Sequence, residues 1–182
     1  MIIDKHAIPT KLLWLDLEMT GLDTSQHAIV EVAAIVTDWD FNELATYEAV
    51  IAQPEAVLAA SNEFALQQHT DSGLYEQVRT SGRPEMEVVN DLVKIIQEQF
   101  GGQPAVLAGN SIHADRAFIR AQWTEVEGLL HYRMLDVSSW KLVCLGKLGV
   151  PEFVKKETHR ALDDIRESIG ELQYYLDWFD KK

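Results

Sequence analysis

The chain has 182 residues, with 16 lysines and arginines against 29 acidic side chains, a formal charge of −13. That length, with 47% hydrophobic and 25% charged residues, predicts one globular domain with its own core and excludes a disordered chain. The single cysteine, Cys144, excludes an internal disulfide framework and a thiolate zinc cluster, while the lack of any long apolar run, and the break of Leu12–Leu15 by Asp16, predict a cytoplasmic protein without a membrane helix or signal peptide.

In chain order, Lys11 to Glu18 reads as a buried strand, with Leu12, Leu13, Trp14, Leu15 and Leu17, and Gly21 breaks it. Ile29 to Thr37 and Ala45 to Ile51 read as two further strands, and the short segments between the three suit antiparallel hairpins. From Pro84 to Phe100 the period becomes helical, through Met86, Val89, Val93, Ile96 and Phe100, with Gly101 as the stop. Ala105 to Ala108 predicts a short central strand closed by Gly109. His113 to Trp123 predicts a helix with Phe118 and Ile119 inward, Met134 to Val137 a short strand, and Trp140 to Leu148 a helix ended by Gly149 and Pro151. The last helix runs from about Ala161 to Phe179, with Ile165, Ile169, Leu172, Leu176 and Phe179 on one face. Strands first, then helices alternating with strands, predict a mixed-sheet α/β domain.

Within the first strand, Asp16 and Glu18 interrupt an apolar run. Strand alternation places both on one face, with Leu15 and Leu17 on the other. Two like charges side by side repel unless a cation holds them, and a hard divalent cation prefers carboxylate oxygen. A solvated strand end accounts for the pair equally well. Asp115 sits in Gly109-Asn110-Ser111-Ile112-His113-Ala114-Asp115, near a helix start, where a carboxylate also complements the helix dipole. His159 and Asp164 lie in His159-Arg160-Ala161-Leu162-Asp163-Asp164, and spacing alone does not choose between Asp163 and Asp164. Together these acids and the histidine suit two-metal phosphoryl chemistry, with a histidine near neutral pKa to take a proton from water. The net charge argues against a grip on long duplex nucleic acid, which needs basic surfaces. It leaves room for a small phosphorylated substrate held through cations.

The three acidic motifs, Leu15-Asp16-Leu17-Glu18-Met19-Thr20-Gly21-Leu22 among them, resemble in order and content the DEDD exonucleases, in the subgroup whose last motif carries histidine. Met19, the Asn110-Ser111-Ile112 stretch and the run from His159 to Ile169 look like the oligoribonuclease branch, and the likeness covers essentially the whole chain. The resemblance implies a ribonuclease H-like fold: a mixed sheet flanked by helices in a single domain. It implies removal of nucleotides from the 3′ end of very short RNA, dinucleotides above all, in a homodimer. It assigns Asp16, Glu18, Asp115 and Asp164 to two Mg²⁺ or Mn²⁺ ions, its H-x-x-x-x-D spacing choosing Asp164 over Asp163, and assigns His159 as general base. Leu22 would wedge against the bases, and His69 matches a position near the substrate. Ser111 and Ser138 would cap the 5′ phosphate, with Tyr132 and Arg133 reaching in from a second subunit. Phe64 departs from the family, which usually carries tryptophan there; any aromatic ring still stacks on a base. Rival readings are a DNA proofreading exonuclease of the same superfamily, which Met19 argues against, and a non-catalytic module of the same fold, which the full set of acids argues against. Tyr174, Tyr175 and Trp178 read as packing or subunit contacts, and Cys144 as a small buried hydrophobe.

Overall fold

The structure of the chain, a computed structural model, describes residues 9–154 and 160–180. Five strands form one mixed sheet. Strand β1 (Leu12–Met19) pairs antiparallel with β2 (Ile29–Thr37), and β2 antiparallel with β3 (Glu43–Val50). Strands β4 (Ala105–Gly109) and β5 (Leu130–Asp136) add in parallel on the other side, giving the order β3-β2-β1-β4-β5. The helices are α1 (Glu55–Ala59), α2 (Glu63–Asp71), α3 (Leu74–Ser81), α4 (Glu85–Phe100), α5 (His113–Gln122), α6 (Thr124–Glu127), α7 (Val137–Val143) with a π-helical turn at Cys144–Leu148, and α8 (Ala161–Asp180).

Strand β1 is central and covered on both faces, which is why its apolar residues run almost without a break. Leu13, Leu15 and Leu17 pack on one side with Leu92 of α4 and Phe118 and Ile119 of α5. Leu12 and Trp14 pack on the other with Ile165, Ile169 and Leu172 of α8. Asp16 and Glu18, continuing the alternation of Leu12 and Trp14, therefore point to the α8 side. Tyr175 is buried with Cys144 and Val150, and Tyr174 and Trp178 pack against them, so the tail aromatics serve packing.

Two expectations need correction, and one segment adds elements that the sequence reading lacks. The strand expected at Met134–Val137 begins at Leu130 and ends at Asp136. It is an edge strand with one open side, so His131, Tyr132 and Arg133 sit in it without an apolar pattern. The helix expected from Trp140 starts at Val137, because the Asp136 carboxylate caps it by accepting the Ser138 N–H at 2.9 Å. The segment 55–81, left unread in the sequence, holds α1, α2 and α3. Helix α2 begins at an Asn62 cap that accepts the Ala65 N–H at 2.7 Å, but most of its surface is polar or faces open space, so it shows little helical stripe.

The site is set by where β1 and β4 part. They pair only over Leu12–Trp14 and Val106–Ala108. Strand β4 ends at Gly109 while β1 runs on to Met19, so the carboxyl end of β1 has no strand neighbour on that side, and it is at the carboxyl ends of strands that α/β sheets hold their ligands. The first turn of α5 fills the gap, and Asp115 Oδ1 accepts the Leu17 N–H at 3.0 Å in place of a strand neighbour. From the other face α8 is pinned by an ion pair. Glu31 of β2, 3% exposed, accepts Arg160 at 2.6 Å and 3.2 Å and sits 3.4 Å from the Ala161 N–H at the helix start.

Helix α8 carries a second pair, Arg166 with Glu43, on the surface. Breaking a buried pair strands a charge, whereas an exposed pair contributes little. Arg160→Met is thus expected to lower unfolding free energy by about 3 kcal/mol and Arg166→Met by less than about 1 kcal/mol, measured by urea denaturation. Equal losses would show that Glu31 does not pin the helix.

Candidate active site

Asp16 and Glu18 of β1 and Asp164 in the first turn of α8 place carboxylate oxygens within 4.8 Å of one another. Asp164 enters because the Glu31–Arg160 pair holds the helix start beside β1, and its own N–H is already helical, donating to the Arg160 carbonyl at 3.0 Å. Asp163, its neighbour, faces solvent. The structure thus brings Asp164 rather than Asp163 to the strand acids.

Asp115 lies outside that trio but adjoins it: of the neighbouring charges, its carboxylate repels Asp16 most. Burial, then the charges of Asp115, Glu18, Asp164 and Glu31, holds the Asp16 carboxyl well above the usual range. Burial first, then Glu31 directly opposite in the sheet, pushes Glu18 up to about 8, with Arg160 opposing the rise. Burial raises Asp115 to about 7 against the lowering effect of the Leu17 N–H. Glu31 is committed to Arg160, and Asp16, Glu18, Asp115 and Asp164 contribute the other carboxylates of the cluster. Such an all-carboxylate set fits hard divalent cations.

Beside the acids lies a cleft of about 310 Å³, lined by Leu17, Glu18, Met19, Leu22, Phe64 and His69 among others. Leu22 is 76% and Phe64 75% exposed, two large apolar groups held open to solvent across one cavity. In the turn that presents Leu22, the His27 ring packs against Gly21, where a Cβ would lie 2.5 Å from it, so a larger residue there would have to displace the ring. His69 is 2% exposed, with Nε2 2.9 Å from the Met19 carbonyl and 3.8 Å from Glu18. It fixes the end of β1 against α2, and its ring leans on Tyr75 at 5.1 Å.

Ser111 and Ser138 form a second cluster at the ends of β4 and β5, their Oγ atoms 3.1 Å apart. Neither lines the cleft. Tyr132 and Arg133 stand on the outer edge strand, with Tyr132 60% exposed and the Arg133 guanidinium 5.2 Å from its ring centre. Within one chain they do not line the cleft either. His159 lies outside the described residues.

Sequence reading missed Glu31, Arg160, Asn110 and Glu171. Glu31 carried the same signal as Asp16, an acid inside a buried apolar strand. Glu171 was visible as an acid between Ser168 and Leu172 on the inner side of the last helix. Asn110 had no signal apart from its motif.

The exonuclease (RNase T) family model matches residues 13–172. Solved structures of exonuclease I share the fold: the Escherichia coli enzyme in complex with a dT13 oligonucleotide has a TM-score of 0.67 at 15% identity, covering 94% of this chain and 43% of that one. The Methylocaldum szegediense enzyme has a TM-score of 0.63 at 16% identity, covering 94% and 41%. The chain belongs to the exonuclease family. Its curated relatives include the oligoribonuclease of Francisella tularensis subsp. tularensis (strain WY96-3418), 43% identical over 165 residues, 90% of this chain and 93% of the relative. That of Pseudomonas paraeruginosa is 44% identical over 176 residues, 95% and 98%. Within the family the chain stands with the oligoribonucleases, as a hydrolytic 3′-to-5′ exoribonuclease.

The raised carboxyls have a consequence for stability. A carboxyl raised in the fold favours the folded state at low pH, and that contribution is lost as pH rises through the folded value, here about 7 to 8. In the presence of a chelator, Tm is expected to fall between pH 5 and pH 8.5. Mg²⁺ or Mn²⁺ is expected to raise Tm more at pH 8 than at pH 5.5, as followed by circular dichroism. A metal effect larger at pH 5.5 would contradict this picture.

Proposed function

We propose that the chain removes nucleotides from the 3′ end of RNAs a few residues long, dinucleotides above all, releasing 5′-mononucleotides, and does so in the cytoplasm as a homodimer. The observation that carries this reading is the trio of carboxylates within 4.8 Å beside a cleft lined by two exposed apolar side chains, Leu22 and Phe64. Asp16, Glu18, Asp115 and Asp164 would hold two Mg²⁺ or Mn²⁺ ions. Bound there, divalent cations supply an acidified water and stabilise charge on the attacking and leaving oxygens.

The protein's own groups supply the rest. Leu22 and Phe64 grip the bases by contact and stacking, which tolerates any base because each has a flat face. Phe64 offers such a face. His69 closes the inner wall of the cleft. His159, immediately before the pinned Arg160, takes the proton of the attacking water; the phosphorus–O3′ bond breaks and the 3′-terminal nucleotide leaves with its 5′ phosphate. Ser111 and Ser138 receive the phosphate at the substrate's 5′ end, and Tyr132 and Arg133 of one subunit complete the other's site. The exposed edge position of that pair supports a reach outward rather than into its own cleft. A site capped at the substrate's 5′ phosphate suits two nucleotides, and the charge of −13 offers no general basic surface for a longer chain.

RNAs of two, five and twenty nucleotides, incubated with Mg²⁺ or Mn²⁺, should show fastest release from the dinucleotide and none with EDTA. Asp164→Asn should be nearly inactive and Asp163→Asn close to wild type. His159→Ala should lose roughly 10²–10⁴-fold in rate. Arg133→Ala should lose about 10–150-fold on the 5′-phosphorylated dinucleotide at limiting substrate, and less on longer RNA. Preference for the twenty-nucleotide substrate, or metal-independent cleavage, would overturn the reading.

A further inference from the structure

Beneath the serine pair lies a buried polar chain that the reaction does not require but that determines what the pair can do. Asn110, directly after β4, spans from Ser138 to α8. Its Nδ2 donates to Ser168 Oγ at 2.9 Å and to Glu171 Oε2 at 3.0 Å, and its Oδ1 accepts the Ser138 hydroxyl at 3.1 Å. The orientation of this amide is forced from two sides. Glu171 is fully buried and presents Oε2 to Asn110, while Oε1 accepts the Tyr175 hydroxyl at 3.2 Å. Ser168 has already given its only proton to the Asp164 carbonyl at 2.9 Å, so toward Asn110 it can only accept. A flipped amide would set a carbonyl oxygen against both, an unsatisfied buried contact.

The polarity propagates outward. With its carbonyl facing Ser138, Asn110 takes that residue's single proton. Ser138 Oγ then faces Ser111 as an acceptor, receiving the Ser111 N–H at 3.0 Å and lying 3.1 Å from its hydroxyl. The Ser111 N–H is shared with Asp136 Oδ1, also at 3.0 Å. These bonds hold Ser111 at φ +50°, a left-handed conformation uncommon outside glycine. Ser111 is exposed, and its hydroxyl proton is the one that can turn toward an anion without breaking the buried chain.

We infer that Glu171 and Asn110 are positioning residues that assign the roles in the 5′-phosphate cap: Ser111 donates to the phosphate, Ser138 supports Ser111 as an acceptor, and the preference for a phosphorylated 5′ end is set from inside helix α8. This rests on the reading of the serine pair as the phosphate cap. A phosphate offers only acceptors, so the cap works in proportion to the protons it can present, and the buried chain fixes which hydroxyl presents one. Because α8 also carries Asp164, the same helix aligns the cap and the acidic cluster.

The test is the ratio of kcat/KM for 5′-phosphorylated over 5′-hydroxyl RNA dinucleotides, measured for the wild-type protein with its divalent metal and for Ser111→Ala, Ser138→Ala and Glu171→Gln. Ser111→Ala should cut the ratio about tenfold, and Ser138→Ala, which leaves the donating hydroxyl in place, by less. Glu171→Gln keeps the shape but replaces one acceptor by a donor, weakening one of the two constraints on the Asn110 amide, and should lower the ratio several-fold, mainly through KM on the phosphorylated substrate. A purely structural role would depress both substrates equally and leave the ratio unchanged, which would overturn the inference, as would a larger loss of ratio in Ser138→Ala than in Ser111→Ala. The two serine variants decide the donor assignment even if Glu171→Gln fails to fold. A wild-type ratio near one would instead overturn the cap reading itself, and the inference with it.

Discussion

Mutual repulsion among carboxylates at the carboxyl end of β1, beyond the end of β4, is the constraint around which the rest of the molecule is arranged. Asp16, Glu18 and Asp164 crowd within 4.8 Å, with Asp115 and Glu31 adjoining. Burial of unpaired charges is costly, and the fold relieves part of that cost in three ways. Glu31 is neutralised by Arg160. Asp115 has one oxygen bonded to the Leu17 N–H. The positive end of the long helix α8 opens toward the cluster. The remaining acids are left to exchange protons for cations, which is the property a phosphodiester hydrolase needs at neutral pH.

The same few elements carry the groups that line the cleft. The end of β1 and the turn after it present Glu18, Met19 and Leu22, and helix α2 presents Phe64 and His69, so the cleft joins an acid of the cluster to two exposed apolar side chains. Helix α8 carries Asp164 at its start and Ser168 and Glu171 one to two turns on, linking the acidic cluster to the serine pair through Asn110. Edge strand β5 supplies Tyr132 and Arg133 at the surface and Asp136 as the cap of α7. The acidic cluster, the cleft and the serine pair thus hang on three strand ends and the first turns of α2, α5 and α8, and displacing α8 would disturb both the cluster and the serine pair.

Legibility in the sequence followed burial. Strand β1, helix α4 and helix α8 were readable because their apolar periodicity is imposed by packing on the sheet. Asp16 and Glu18 stood out because an acid in a covered strand contradicts its surroundings, and the same reasoning would have found Glu31. Helices α1 to α3 were not read: α2 presents one side to an open cleft and the other to solvent, so it has no continuous apolar stripe. The early start of α7 was hidden because its signal is a single capping aspartate. The choice of Asp164 over Asp163 needed the motif, since both lie in the first turn and only the pinned entry of α8 settles which one faces inward. The Asn110–Glu171 link joins residues 61 positions apart, and no local pattern reports it.

The central claim is that the acids hold protons until cations replace them. Calorimetric titration of Mn²⁺ into the chelator-treated protein at pH 7, repeated in two buffers of different ionisation enthalpy, counts the protons released on binding. With Glu18 raised to about 8 and Asp115 to about 7, binding should release on the order of one proton or more per site at pH 7 and far fewer at pH 9. Binding that releases no protons at pH 7, or the same number at both pH values, would contradict it.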